Sequence, residues 1–289
     1  MFKKKKDQTY QSYWSISWNI FKKNKVAMVC LFIVILLCLI ALFAPLIAPY
    51  DPNKQVLTDR LMKPCGQHWF GTDDLGRDIF SRIIYGCRVS LSVGIISQII
   101  ATVIGYTMGV CAGYFGGKVD SVISFLIQVF SSFPFLLFAM AIMFVLGPGL
   151  INLYLALGLL GWASTARLIR GDVMRLKKME YIDACKVSGG NSFRIIMKHL
   201  LPNCLSTLIV TVTLGIPNAI MSEASLSFLG LGAKAPMASW GSMISFSQPY
   251  IRSATYYSVI PGLAIIITVL AFNMLGDGLR DALDPKLRS

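Results

Sequence analysis

Six apolar stretches, each long enough to cross a bilayer, constrain this chain more than any other feature. A hydrocarbon core of about 30 Å takes roughly 20 helical residues. Runs of that order lie near Val26–Ala48, Val89–Ala112, Ser121–Leu146, Leu150–Ile169, Cys204–Leu226 and Ser258–Gly276. Lipid offers the backbone no hydrogen-bond partners, so such runs must fold as helices. The expected fold class is an all-α integral membrane protein with six transmembrane helices. With 55% hydrophobic and 14% charged residues and a mean hydropathy of +0.64, the 289-residue chain is too apolar for an ordinary soluble domain. The net charge of +13 does not point to nucleic acid, because Lys and Arg gather in loops beside the apolar runs. Lys22, Lys23 and Lys25 precede the first run as in a signal peptide, but the run is too long for a signal core and lacks a small-residue cleavage pattern. It is expected to stay as a span.

Lys and Arg counts set the orientation. With the N-terminus inside, inner segments hold nineteen, including seven in residues 1–25 and eight from Arg167 to Lys198, and outer segments hold eight. Both termini are then cytoplasmic. The chain divides into a basic segment 1–25, a first span 26–48, an outer loop 49–88, a core 89–277 containing a cytoplasmic loop 171–203, and a tail 278–289. Within the outer loop, Thr72, Asp73 and Asp74 resemble a helix start. Ile79, Phe80, Ile83, Ile84 and Cys87 follow at helical spacing, with Asp78 and Arg82 paired at i, i+4. This reads as an amphipathic helix on the outer leaflet, a structural elbow before the second span. Cys65 and Cys87 share the loop, and spacing alone does not decide whether they pair.

A side-chain relay for ions or protons needs ionisable groups inside the bundle, and the first four spans have none in their central turns. The polar exceptions are neutral: Gln98, Gln128, Asn152, Asn218 and Asn273. Glu223 is the sole acid, expected at the outer interface or against a neighbouring chain. Pro134 and Pro217 fit helices that bend around a central path. Gln98, Gln128, Pro134, Asn218 and Glu223 are therefore the candidates for a translocation path. Hydrolytic chemistry is thin. His68 and His199 fall on opposite sides of the membrane, no metal-ligand spacing accompanies them, and no Gly-rich phosphate loop ends in Lys and Ser or Thr. Met140 and Met143 read as packing residues rather than metal ligands. Energy for uphill transport would have to come from another chain.

The polar interruption Glu180–Asn203 completes the pattern. Its first half reads as a short helix from about Met174 to Ser188, stopped at Gly189, where positive φ permits a reversal. Its second half, capped by Asn191 or Ser192, carries Phe193, Ile196, Met197, Leu200 and Leu201 on one face until Pro202 ends or kinks it. Tyr181 and the order Asp183, Ala184, Cys185, Gly189, Ile196, Leu201, Pro202 place this stretch beside a known one: it resembles the Glu-Ala-Ala loop of ABC importer permeases, with Asp183 for the usual Glu and Cys185 for the second Ala. The run His68 to Asp78, the stretch Glu223 to Gly232 with Trp240 and Gly241, and the tail Asn273 to Pro285 are similar to the second ("C") membrane subunit of the dipeptide, oligopeptide and nickel branch. The resemblance implies a type I permease fold with an extra N-terminal span, in the bacterial plasma (inner) membrane. It implies a homologous second permease as heterodimer partner, two ATPase subunits that take the coupling helices into a cleft, and an extracellular substrate-binding protein. It implies no catalysis and no cofactor in this chain, with ATP and Mg bound by the ATPase subunits. Peptides are the expected cargo. A nickel or metal-chelate importer and a self-sufficient channel or secondary carrier are the alternatives.

Overall fold

The computed structural model describes residues 13–284 and is helical, with an isolated bridge between Thr72 and Asp78 in place of any strand among those residues. A short helix α1 (Tyr13–Lys23) precedes α2 (Lys25–Leu42), and Asn24 breaks the two apart while its side chain caps Ala27 N. After α3 (Ala44–Ile47), the outer segment leads into α4 (Ile79–Phe115), then α5 (Gly117–Ser132), α6 (Phe135–Leu146) and α7 (Leu150–Leu176). The hairpin α8 (Glu180–Val187) and α9 (Ser192–Ile195) follows, then α10 (Leu201–Phe228), α11 (Trp240–Ser247) and α12 (Thr255–Leu283).

Helices stand at all six expected stretches, with altered bounds. Four are long and apolar enough to cross a membrane: α2, α4, the continuous run from Ser192 to Phe228, and α12. The stretch Ser121–Leu146, expected as one span, is instead the pair α5 and α6 meeting at 90°. Pro134 forces this, because a residue preceding proline is pushed out of the helical region, and Phe133 sits at φ −95°, ψ 139°. α7 covers the remaining stretch and, at 27 residues, is about 40 Å long. α12 carries the helix on to Leu283, into what was expected as tail.

The outer amphipathic helix is not a separate element. α4 starts at Ile79 and continues without interruption into the second span, about 55 Å in all. Its N-cap is Asp78, whose Oδ2 accepts from Ser81 N at 2.7 Å, and not the Thr72–Asp74 run. Asp78 and Arg82 do not pair. Asp78 takes His68 Nδ1 at 2.8 Å, while Arg82 is buried beside Asp73 at 3.5 Å and donates to Pro52 O. Asp73 also accepts from Leu75 N, Arg77 N and Arg77 Nε, so a polar knot holds the outer loop over the end of α4. Cys65 and Cys87 are unpaired: Cys65 is exposed, and Cys87 is buried with its thiol 3.5 Å from Leu37 O.

The centre of the fold is α4 against α7. Gly105, Gly109 and Gly113 recur every four residues on α4 and face Trp162 O, Ala166 O and Arg170 O of α7 in turn. A Cβ at these positions would lie within 2.6–2.9 Å of α7 atoms. Small residues at one-turn spacing let helix backbones touch, the packing that serves where lipid gives no hydrophobic drive between helices. Gly109→Val is therefore expected to lower stability by about 1–3 kcal/mol through overpacking, read as a fall in detergent unfolding temperature. An unchanged midpoint would show that the contact is looser than drawn.

Candidate functional site

Two features stand out as places where this fold can work: the α8–α9 hairpin and a cavity between the spans. α8 begins at Glu180, six residues later than expected, because α7 runs on to Leu176 before the turn. Ile182 from α8, Ile195 from α9 and Leu200 are buried against Val110 and Tyr114 of α4 and Ile169, Val173 and Leu176 of α7. The hairpin thus rests on the ends of the two helices that form the centre of the fold. Lys177 ties the same end, donating to Tyr114 O at 2.5 Å in the last turn of α4, where a cation suits the helix dipole.

The reversal works as expected at Gly189, with φ +80°, but the tight contact is at Gly190, whose N donates to Cys185 O at 2.9 Å and where a Cβ would strike Cys185 Sγ at 2.7 Å. Asn191 is the cap of α9, accepting from Arg194 N at 2.8 Å. Cys185 Sγ lies 3.6 Å from His199 Nε2, and the Tyr181 ring stacks at a tilt on the same imidazole. Burial, with a smaller contribution from Cys204, pushes the Tyr181 phenol up, so it stays a neutral hydroxyl at neutral pH. Ala184 O accepts from Ser188, closing α8. Asp183 projects outward beside Lys186 at 2.7 Å.

The apolar face read from the second helix is only partly buried, and Ile195, outside that set, is buried with it. Ile195 and Leu200 are inside, Ile196 and Leu201 are half-buried, and Phe193 and Met197 are exposed, Phe193 to 72%. Pro202 does not end the helix. A π turn at Ile196–Leu200 widens the coil just ahead of it, and the helix continues into α10 with Pro202 in its first turn. Proline has no N–H for the carbonyl four residues back, and a π turn absorbs such a misfit. The result is a knob whose apolar base is fixed to α4 and α7 and whose tip presents Val187, at 90% exposure, and Phe193 beside Asp183.

The cavity, about 1130 Å³, lies between α4, the α5–α6 elbow, α7 and α10. Pockets for drug-sized ligands run to about 300–1,000 Å³, so the space exceeds that of a small-molecule site. Its wall on α10 is a stripe of Asn203, Thr207, Thr211, Asn218, Ser222 and Ser225, about 33 Å long at helical rise. Ionised groups on the wall, Arg175, Arg280 and Asp284, lie at the hairpin end. Gln98 and Asn218 are on the wall as expected. The Gln98 amide reaches Thr211 O at 3.5 Å over Gly215, where a Cβ would collide with it at 2.2 Å. Gln128 is exposed off the wall, and Pro134 contributes through the elbow it makes, which puts Phe133, Phe135 and Leu136 on the lining. The hydroxyl stripe on α10 went unremarked in the sequence, although its three- and four-residue spacing inside an apolar run was a legible signal.

Glu223 needs correction most. It faces neither the outer interface nor the cavity: it is fully buried, accepting from Ser227 Oγ at 2.6 Å and Ser90 Oγ at 3.2 Å. Ser227 Oγ lies 3.4 Å from Ser239 Oγ, and Ser239 caps α11, so the carboxylate knits α10, α4 and α11 together. Glu223→Ala would leave those hydroxyls without their acceptor and is expected to cost about 1–3 kcal/mol of stability. Ser222→Ala, one residue away on the cavity wall, should leave it within about 0.5 kcal/mol. Paired thermal melts check this, and equal losses would put Glu223 back on the path.

Comparisons with known proteins bear on both features. Residues 102–289 match the family model described as binding-protein-dependent transport system inner membrane component. Residues 12–64 match the N-terminal TM domain of oligopeptide transport permease C. The chain is 46% identical over 278 residues to a dipeptide transport system permease protein of Bacillus subtilis (strain 168), covering 96% of this chain and 87% of that one. It is 41% identical to a glutathione transport system permease protein of Pectobacterium atrosepticum, covering 98% and 95%. Among solved structures, a chain of the MetNI methionine ABC transporter in an inward-facing form superposes at a TM-score of 0.58 with 19% identity, over 71% of this chain and 98% of that one. That likeness shows the type I permease fold.

Proposed function

The chain belongs to the family of binding-protein-dependent transport system inner membrane components, and from that premise we propose how this permease moves its cargo. It is a multi-pass membrane subunit of an ATP-driven importer, and its cargo is peptide. The names of the relatives, dipeptide and glutathione permeases at 46% and 41% identity, favour peptide over nickel. The neutral stripe of amides and hydroxyls on α10 suits that cargo, since it offers hydrogen bonds to any peptide backbone without selecting a side chain.

The observation that carries the mechanism is the burial of Ile182, Ile195 and Leu200 on the ends of α4 and α7 beneath an exposed tip. ATPase subunits, which would hold ATP and Mg, close on nucleotide and push the tip formed by Asp183, Val187 and Phe193. The base passes the push to α4 and α7, whose glycine contact makes them move together. α10 follows through Thr207, which donates to Asp172 Oδ2 at 2.5 Å, so the striped wall shifts against its surroundings. A second, homologous permease faces this cavity and completes the path, and a substrate-binding protein delivers peptide to the outer side. The chain itself catalyses nothing, and both termini lie in the cytoplasm of a bacterial cell.

Two substitutions on the exposed tip test this. Phe193→Asp and Asp183→Lys touch no buried contact, so insertion and unfolding temperature should stay unchanged, while peptide uptake by the complete reconstituted importer should fall at least about tenfold, a loss of roughly 1.4 kcal/mol in coupling. ATP hydrolysis should then no longer respond to loaded binding protein. Normal uptake in both variants, or flux through this chain without ATPase subunits, would overturn the mechanism.

A further inference from the structure

The first helix has no part in the path or the hairpin, yet its composition and placement are specific. α1 buries Phe21 and Ser17 and half-buries Ile16 and Ile20, packing on α2 and on the end of α12, where Gly278 lets Ala27 and Phe21 approach. Its other face is exposed: Trp18 at 46%, Asn19, Lys22 and Lys23, with Lys25 at the next turn. Lys22 Nζ sits 5.3 Å from the Trp18 ring centre. Among the described residues no acidic side chain pairs with any of the three lysines.

Length fixes where this face lies. α2 has 18 residues and is about 27 Å long, within the range of about 17–25 residues of helices that span the hydrocarbon core. α1 is broken from it at Asn24 and so lies at or beyond the interface, on the side that the charge count makes cytoplasmic. A tryptophan whose ring is half-exposed beside unpaired lysines matches that interface on both counts. The ring settles at headgroup depth, and ammonium groups meet the negative charge of anionic lipids.

We propose that α1 lies in the inner interface and binds anionic phospholipid headgroups through Lys22, Lys23 and Lys25, with Trp18 as its apolar anchor. An acidic protein surface accounts for the lysines but not for a ring exposed at the level where α2 leaves the hydrocarbon.

Hydrogen exchange of the full-length chain in nanodiscs tests the assignment. Amides of residues 15–23 should exchange at least about threefold more slowly when phosphatidylglycerol replaces a third of the phosphatidylcholine. Raising NaCl to about 0.5 M should remove the slowing, and free glycerophosphate should not produce it. K22Q/K23Q/K25Q should lose most of the slowing, whereas K22R/K23R/K25R, which keeps the charge, should retain it. Equal exchange in the two bilayers, slowing retained by the Gln variant, lost by both variants, or seen only after ATPase subunits are added would overturn the proposal, the last in favour of a protein contact. None of these outcomes depends on peptide uptake.

Discussion

Close approach of backbones along α4 is the constraint from which the rest of the structure follows. Lipid gives no hydrophobic reward for bringing two apolar helices together, so association rests on dispersion and shape. α4 meets that condition with glycines on several sides. Gly105, Gly109 and Gly113 seat α7, Gly94 seats Ile216 and Ile220 of α10, and Gly86 seats the Trp240 ring of α11. At Gly94, Gly105, Gly109 and Gly113 a Cβ would come within 2.6–2.9 Å of the partner, and at Gly86 it would meet the Trp240 ring tightly at 3.0 Å. The hairpin base, the cavity wall and the outer cap are therefore all referenced to one long helix.

Charge is managed by position. The interior of the spans keeps neutral amides and hydroxyls, and ion pairs sit at the ends: Asp73 with Arg77 and Arg82 at the outer loop, Asp120 with Arg170 between α5 and α7. A buried ion pair is poor evidence of net stability, because desolvation offsets the attraction. Its effect is geometric. Arg82 and Asp73 are both buried, so the outer loop has one arrangement in which neither charge is stranded, and Gly76, whose Cβ would overlap Val56 O, fixes where the chain turns. Glu223 is the same device inside a span, satisfied by hydroxyls in place of a cation.

Sequence periodicity revealed the helices because in lipid a long apolar run has one outcome. The sequence also located the reversal at Gly189 and narrowed the cap to Asn191 or Ser192, of which the fold uses Asn191. Three things were hidden. The 90° elbow at Pro134 looked like a kink, since proline alone does not say whether the chain bends or breaks. The apolar face of the second hairpin helix proved to be divided, with Leu200 buried alongside Ile195 while Phe193 and Met197 stay exposed. Arg82 was expected to pair with Asp78, and only the folded loop reveals Asp73 and Pro52 O around it. For Arg82 the deciding partners are distant in sequence, which is why spacing did not find them.

The divided face of the hairpin bears on how motion enters the molecule. Fully burying a phenylalanine or a valine is worth about 1.5–3 kcal/mol, so leaving Phe193 and Val187 in water forgoes stability that the hairpin could have taken for itself. The base shows that it could: Ile182, Ile195 and Leu200, a few residues away, are buried completely or nearly so. A segment that packs one apolar face and presents another is built to hold two bodies at once. The π turn beneath it, an irregularity often found at functional sites, stands between the tip at Phe193 and the striped wall that begins at Asn203. On the coupling proposed above, displacement of the tip would reach the cavity by two routes, one through α4 and α7 and one along α10.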